Sequence, residues 1–295
     1  MSKVVIIGGG AAGMFASIFA ARNGNEVHLF EKNEKLGRKL FITGKGRCNI
    51  TNAGDMETLF QSVVSNPKFL YSSFYGYTNE DVVSFFEEIG VRTKIERGNR
   101  VFPLSDHSSD VINGLAAEMK RLGVKVYLNT KVKSIEGNAD GFQRIVLSNG
   151  EKIVAADCIV ATGGCSYQPT GSTGDGYHMA DSVGHTVTEV YPALVPLEIE
   201  EDYVRELQGL SLRNVEATIY DGKKEIYHDF GEMLFTHYGV SGPLMLTASS
   251  YITKKLRDRE MKLVIDLKPA LSEEQLNQRV LRDFEENKTK QFRNA

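Results

Sequence analysis

The chain has no tryptophan and only three cysteines among 295 residues. Cys48, Cys158 and Cys165 form no Cys-x-x-Cys pair, which argues against a dithiol–disulfide reductase, and an odd, sparse count fits a reducing cytosol. No apolar run approaches the ~18 residues that a membrane-spanning helix needs, so a soluble cytoplasmic protein without a membrane partner is expected. A net charge of −3 with no long basic block offers no electrostatic case for nucleic acid. His107, His178, His185 and His228 show no metal-ligand spacing, so no metal is expected. The length leaves room for one large or two ordinary domains.

What is present begins at Lys3. The β-branched run Val4–Ile7 suits a parallel strand buried on both faces. Gly8, Gly10 and Gly13 then occupy the glycine positions of a dinucleotide fingerprint. The first permits a tight turn, the second lets backbone approach a pyrophosphate, and the third lets the following helix lie close to the strand. That helix, expected through about Asn23, aims its free N–H groups and positive dipole end at the phosphates. Glu31 closes the next strand, where a carboxylate can accept hydrogen bonds from ribose hydroxyls and would repel a 2′-phosphate. The opening therefore favours FAD or NAD over NADP. A cleaved signal peptide is a poor competitor, because glycine and alanine interrupt the apolar stretch.

From Lys32 to Asn52 the cations Arg38, Lys39, Lys45 and Arg47 stand among Gly37, Gly44 and Gly46 with neither helical nor strand periodicity. A long structureless loop in a compact domain is uncommon unless functional, and this composition suits wrapping a diphosphate or a flavin. A capping box at Thr78–Asp81 opens a helix to Glu88. Val91–Glu96 and Arg100–Phe102 read as a hairpin, and Ser108 or Ser109 should cap a helix bearing Val111, Leu115 and Met119. Val124–Leu128 is a parallel strand, followed by a meander of Lys131–Glu136, Phe142–Leu147 and Lys152–Ala155. The buried strand Cys158–Ala161 then delivers Thr162-Gly163-Gly164 to the side of the sheet that Gly8–Gly13 occupies, beyond the carboxyl ends of the strands. Together with the basic loop, this return tips the choice to FAD. The stretch Gly171–Gly176 matches neither a Walker loop nor a second dinucleotide fingerprint, so no separate NAD domain is visible.

After Thr186 short strands are expected at Thr186–Val190, Val195–Ile199, Asn214–Tyr220, Lys224–His228 and Lys262–Leu267, a β-rich texture. Leu234–Pro243 reads as a turn-rich patch before the helix Leu244–Leu256. Ser272–Gln275 caps a last helix that runs out at Gln291–Ala295.

The segments Ile6–Gly13, Gly37-Arg-Lys with Thr43-Gly-Lys-Gly-Arg-Cys-Asn49 and Thr51-Asn52, Val101-Phe-Pro103, Ala161-Thr-Gly-Gly164, Pro192–Leu197 and Phe235-Thr-His with Ser241-Gly-Pro243 together give a resemblance. The chain resembles the BaiN-like, or aminoacetone-oxidase-like, family of FAD-dependent oxidoreductases. The resemblance implies an α/β fold: a Rossmann-type FAD-binding domain of the glutathione-reductase type over residues 1–190, and a β-rich, barrel-like insert with helices over 191–295. Relatives of this kind continue beyond the position of Ala295 with a segment that closes over the flavin, so a fragment or a truncated chain with an incomplete insert and flavin site is expected.

The cofactor is then expected on Gly8, Gly10, Ala12 and Gly13 at the pyrophosphate, Glu31 at the adenosine ribose and the Val132 backbone at the adenine edge. Lys32, Arg38, Lys39, Thr43, Gly44, Arg47, Cys48, Asn49, Thr162, Gly163 and Gly164 would line the rest. Cys48 could have a lowered thiol pKa beside Lys45 and Arg47, although a packing role is preferred; Cys158 should be core, and His237 could face substrate. No catalytic acid or base is assigned. Three function classes are expected: an oxidoreductase acting on a small molecule through FAD, with NAD(P)H or oxygen as second redox partner; a flavin-dependent tRNA-modifying protein; or a FAD-binding module without turnover.

Overall fold

The computed structural model describes residues 1–138, 141–289 and 291, and the chain divides into two compact units, 1–188 and 189–295. In the first, strand β1 (Lys3–Ile7), helix α1 (Ala11–Arg22) and strand β2 (Glu26–Phe30) form a parallel β-α-β unit, paired from Lys3 with Glu26 to Ile7 with Phe30. Alternate residues of β1 serve two cores. Val4 and Ile6 pack with Met14, Ile18, Leu115 and Met119, while Val5 and Ile7 pack with Val132, Ile145 and Leu147. This explains the unbroken apolar run, since each fully buried aliphatic side chain contributes about 1.5–3 kcal/mol.

The expected structureless loop is partly helical: α2 (Arg38–Ile42) is followed by a 3-10 turn at Thr43–Gly46 and strand β3 (Thr51–Asn52). Tertiary contacts make a helix this short possible. Gly37 N–H donates to Gly9 O at 2.8 Å, Leu40 is buried, and Ser108 Oγ donates to Phe41 O at 2.8 Å. Helices α3 (Met56–Gln61) and α4 (Tyr71–Gly76) precede α5 (Asn79–Glu88), which carries the expected Thr78–Asp81 capping box. Strands β4 (Thr93–Glu96) and β5 (Arg100–Pro103) form the hairpin, to which β3 adds antiparallel to β5.

Helix α6 (Ser108–Arg121) is preceded by His107 at the cap position without a side-chain cap, because the Ser108 hydroxyl is committed to Phe41. Strand β6 (Lys125–Tyr127) leads to the meander β7 (Val132–Asn138), β8 (Gly141–Leu147) and β9 (Lys152–Val154), then to β10 (Asp157–Val160) and α7 (Asp175–Ser182). Among the described residues the main sheet has the order β10-β1-β2-β6 and is parallel, with β10 at an edge. That position corrects the expectation of a buried strand: Ile159 and Val160 are exposed, and Cys158 is only half-buried.

In the second unit β11 (Leu197–Glu198), α8 (Tyr203–Glu206), β12 (Ser211–Asp221), β13 (Lys224–Phe235), β14 (Gly239–Ser241), α9 (Pro243–Leu256), β15 (Lys262–Asp266) and α10 (Glu273–Glu286) follow in order. The antiparallel sheet runs β11-β14-β13-β12-β15 among the described residues. Residues 186–190 form no strand there. The Leu234–Pro243 patch contains the end of β13 and all of β14, because Met233, Phe235 and Val240 are buried in one core with Leu244, Met245 and Ala248 of α9. The last helix ends at its Asn287 cap, and residues 292–295 lie outside the described residues.

Candidate functional site

Beyond the carboxyl ends of β1, β2 and β10 the first unit holds a cavity of about 1020 Å³. Small-molecule sites span roughly 300–1,000 Å³, so this one has room for a large ligand. Gly8 takes φ +106°, and a Cβ there would sit 2.5 Å from Ala161 O, so the β1 turn approaches β10 too closely for any side chain. At Gly13 a Cβ would lie 1.8 Å from Gly8 O, which is how α1 docks on its own strand. A Cβ at Gly10 would meet no atom within 4 Å; it borders the open cavity.

Helix α1 has neither a side-chain cap nor an acidic residue in its first turn. Its leading N–H groups lack intrahelical acceptors and carry the positive end of the dipole, beside Gly8, Gly10 and Ala12 in the cavity wall. The donor set fits a diphosphate.

Glu31 is buried at the end of β2 and faces the same space. Its Oε2 accepts from Gly9 N–H at 2.6 Å, and its Oε1 accepts from Asn33 N–H and Asn33 Nδ2, both at 2.7 Å. A carboxylate offers about four lone-pair positions, so these bonds leave capacity for a ligand hydroxyl. Lys32 is held by Asp175 at 2.7 Å and by Thr173 Oγ1 at 2.8 Å. Burial works to raise the Asp175 carboxyl, but the Lys32 ammonium together with the Thr173 hydroxyl and Lys131 holds the group below the usual carboxylate range.

Arg38, Lys39, Thr43, Cys48 and Asn49 also line the cavity, as do Val132, Thr162 and Gly163. Four candidates, Gly13, Gly44, Arg47 and Gly164, are not among the residues that line the cavity. Gly13 turns its Cα toward Gly8, Gly44 faces Asn49 and Phe102, and Gly164 faces the Tyr177 hydroxyl. Arg47 is drawn away by opposite charge: it pairs with Glu96, donates to Asp106 Oδ1 at 2.8 Å, and sits 4.2 Å from the Phe102 ring centre. Those carboxylates hold the Arg47 guanidinium charged, and Arg47 and Lys94 in turn hold Glu96 and Asp106 below their usual range.

Cys48 is buried with φ +60°, and burial pushes its thiol up. That opposes the reading of a thiolate activated by neighbouring cations. Cys158 is likewise pushed up, by burial, to about 12. His237 lies in the second unit against the Tyr238 ring, at 4.1 Å between centres. Wall residues that sequence reasoning passed over include Asn33, Gly171, Ser172 and Asp175. For the last three the signal was the Gly171–Gly176 turn directly ahead of a helix, which matched no phosphate motif.

A parallel sheet, a glycine turn at a helix N-terminus and a carboxylate at the second strand define a dinucleotide-binding protein of Rossmann type. The model of the HI0933-like protein Rossmann domain matches residues 2–265, and the chain belongs to this family of FAD-dependent oxidoreductases; FAD is its cofactor. The chain is 33% identical over 94% of its length to a 3-dehydro-bile acid delta(4,6)-reductase of Clostridium scindens, and covers 67% of that protein. It is 32% identical over 85% of its length to a ribosomal RNA dihydrouridine synthase of Haemophilus influenzae, and covers 61% of it. The chain thus spans about two-thirds or less of the length of these relatives. A flavocytochrome c3 fumarate reductase shares the fold at TM-score 0.50 and 22% identity, over 72% of this chain and 47% of that one. No described helix is long and apolar enough to cross a membrane.

Proposed function

We propose that this protein transfers a hydride between FAD and a small organic substrate, reducing an activated carbon–carbon double bond with NAD(P)H as electron source. The observation that carries the reading is the cavity with its uncapped α1 N-terminus and buried Glu31. The names of the two relatives support a reductive reaction, one being a delta(4,6)-reductase and the other a dihydrouridine synthase. FAD supplies the hydride acceptor and donor when bound.

The chain's own residues bind and orient. The backbone at Gly8, Gly10 and Ala12 holds the pyrophosphate, with Gly13 setting the helix against it. Glu31 accepts from the adenosine ribose and the Val132 backbone meets the adenine edge. Arg38 and Lys39 offset phosphate charge, while Lys32, Thr43, Cys48, Asn49, Thr162 and Gly163 line the remainder. Residues 1–190 act as the FAD-binding domain, 191–295 as a β-rich insert or substrate domain, and the unpaired cysteines fit a cytoplasmic setting.

The visible spectrum of the purified protein is the first test: a flavin band supports the assignment, and Glu31→Arg should remove it. Full flavin content in that variant sinks the placement of the ribose. NADH consumption that depends on a conjugated enone supports the small-molecule reaction. The relative from Haemophilus influenzae motivates a second reading, an RNA uracil as substrate. RNA binding that falls steeply with salt, with no turnover of enones, would favour it.

A further inference from the structure

Two segments far apart in sequence meet in the cavity wall and are joined by side-chain hydrogen bonds. Lys32 and Asn33, just after β2, and Thr170, Gly171, Ser172 and Asp175, up to the first residue of α7, contribute to the same lining. Lys32 Nζ donates to Asp175 Oδ2 at 2.7 Å and to Thr173 Oγ1 at 2.8 Å, while Asn33 Nδ2 donates to Thr170 O at 3.3 Å. Further along, Lys39 Nζ donates to Ser166 Oγ at 3.3 Å. Gly171, at φ +104°, approaches so closely that a Cβ would lie 2.5 Å from Asn33 Nδ2. The Lys32 and Asp175 side chains retain only 24% and 22% of their exposure, so their attraction is less screened than that of a surface pair.

We propose that Lys32 and Asp175 form a clasp that retains FAD: the pair ties the segment after β2 to the start of α7, and the bound dinucleotide leaves only when the clasp opens. The proposal rests on the assignment of this cavity to FAD. Asp175 is acceptor-only when ionised, so beside a dinucleotide diphosphate its charge would be unfavourable without Lys32. The ammonium has three donors and spends two of them on Asp175 and Thr173, which makes it part of the wall. Gly171 and Gly174, both with positive φ, bracket Ser172 and Thr173, and Gly174 immediately precedes Asp175 at the start of α7.

The test uses the full chain loaded with FAD and reads the FAD dissociation rate from the recovery of flavin fluorescence on dilution. Asp175→Asn, nearly isosteric, should release FAD about tenfold faster, as expected for loss of a partly shielded charge-assisted bond. Lys32→Met should do the same, and the double variant should release it no faster than either single variant. Exchange of the charges, Lys32→Asp with Asp175→Lys, should recover most of the retention. Added salt should speed release from the unaltered protein and leave Asp175→Asn unaffected. Melting of the variants without FAD should match that of the unaltered protein, which separates the clasp from a folding defect.

Release from Asp175→Asn at the unaltered rate overturns the proposal. So do effects that simply add in the double variant, since Lys32 would then act on the cofactor directly. A protein that takes up no FAD overturns the cavity assignment and the clasp together. Normal uptake that is lost in Glu31→Arg, with unchanged release in Asp175→Asn, overturns the clasp alone.

Discussion

The turn at Gly8–Gly13 and the basic loop at Gly37–Asn52 border one cavity and keep their shapes by opposite means. The first is held by backbone: Gly8 N–H donates to Phe30 O at 2.8 Å, and Gly13 leaves no room for even one carbon against Gly8 O. The second is held by side chains, with Leu40 buried, Phe41 O tied to Ser108, and Arg47 drawn to Glu96 and Asp106. Backbone packing tolerates no substitution because nothing flexible can yield. An ion cluster at the surface can lose a member and relax.

The largest effect separating the two regions should come from Gly13→Val. It places a branched side chain into a backbone carbonyl, and a loss of roughly 4 kcal/mol or more is expected, to the point of failed folding, read by thermal or urea unfolding. Glu31→Arg comes next. It should strip bound flavin and also leave the Gly9 and Asn33 N–H groups without their acceptor, at about 1–3 kcal/mol. Stability equal to the unaltered protein would show that those hydrogen bonds are replaced.

Arg47→Met should lower the melting temperature modestly while flavin content stays unchanged. Loss of flavin with unchanged melting would reverse the contrast and return Arg47 to the cofactor.

The far end of α1 depends on charge, and pH reaches it. Arg121 and Arg22 hold the Glu118 carboxyl down at about 2, against the cost of burial. A carboxyl lowered on folding contributes stability above its ordinary value of 4.5. That contribution should fade as pH falls from about 4.5 toward 2, and the fading should be absent in Glu118→Gln. The smallest effect is chemical. Cys165 is exposed and Cys48 buried, so a thiol reagent should label Cys165 roughly tenfold or more faster. Equal rates would mean that the Cys48 loop opens readily.

The fingerprint was legible because its physics is local. A buried parallel strand, a turn with positive φ and a helix start follow one another within a few residues, and each demands particular residue types. The capping boxes at Thr78 and Ser272 were legible for the same reason. The helix at Arg38–Ile42 was hidden, since five residues carry no helical period and the stabilising partners Gly9 and Ser108 lie elsewhere in the chain. Strand β14 was missed likewise: glycine and serine look like turn formers until β13 and β11 supply a ladder on either side. Among the site residues, Glu31 followed from its position at a strand end. Asp175 did not, because its role depends on Lys32, which stands 143 positions earlier.

The sequence by itself determined the dinucleotide turn, the acid that favours FAD or NAD over NADP, and the parallel strands, because these rest on backbone conformations and burial that neighbouring residues dictate. Tertiary structure alone decided which charges serve the cavity and which serve the fold. Arg47 and Lys32 were both expected to line the cofactor, yet one is captured by Glu96 and Asp106 off the cavity and the other by Asp175 within its wall. Opposite charges choose partners by distance in space, and that distance exists only once the chain has folded.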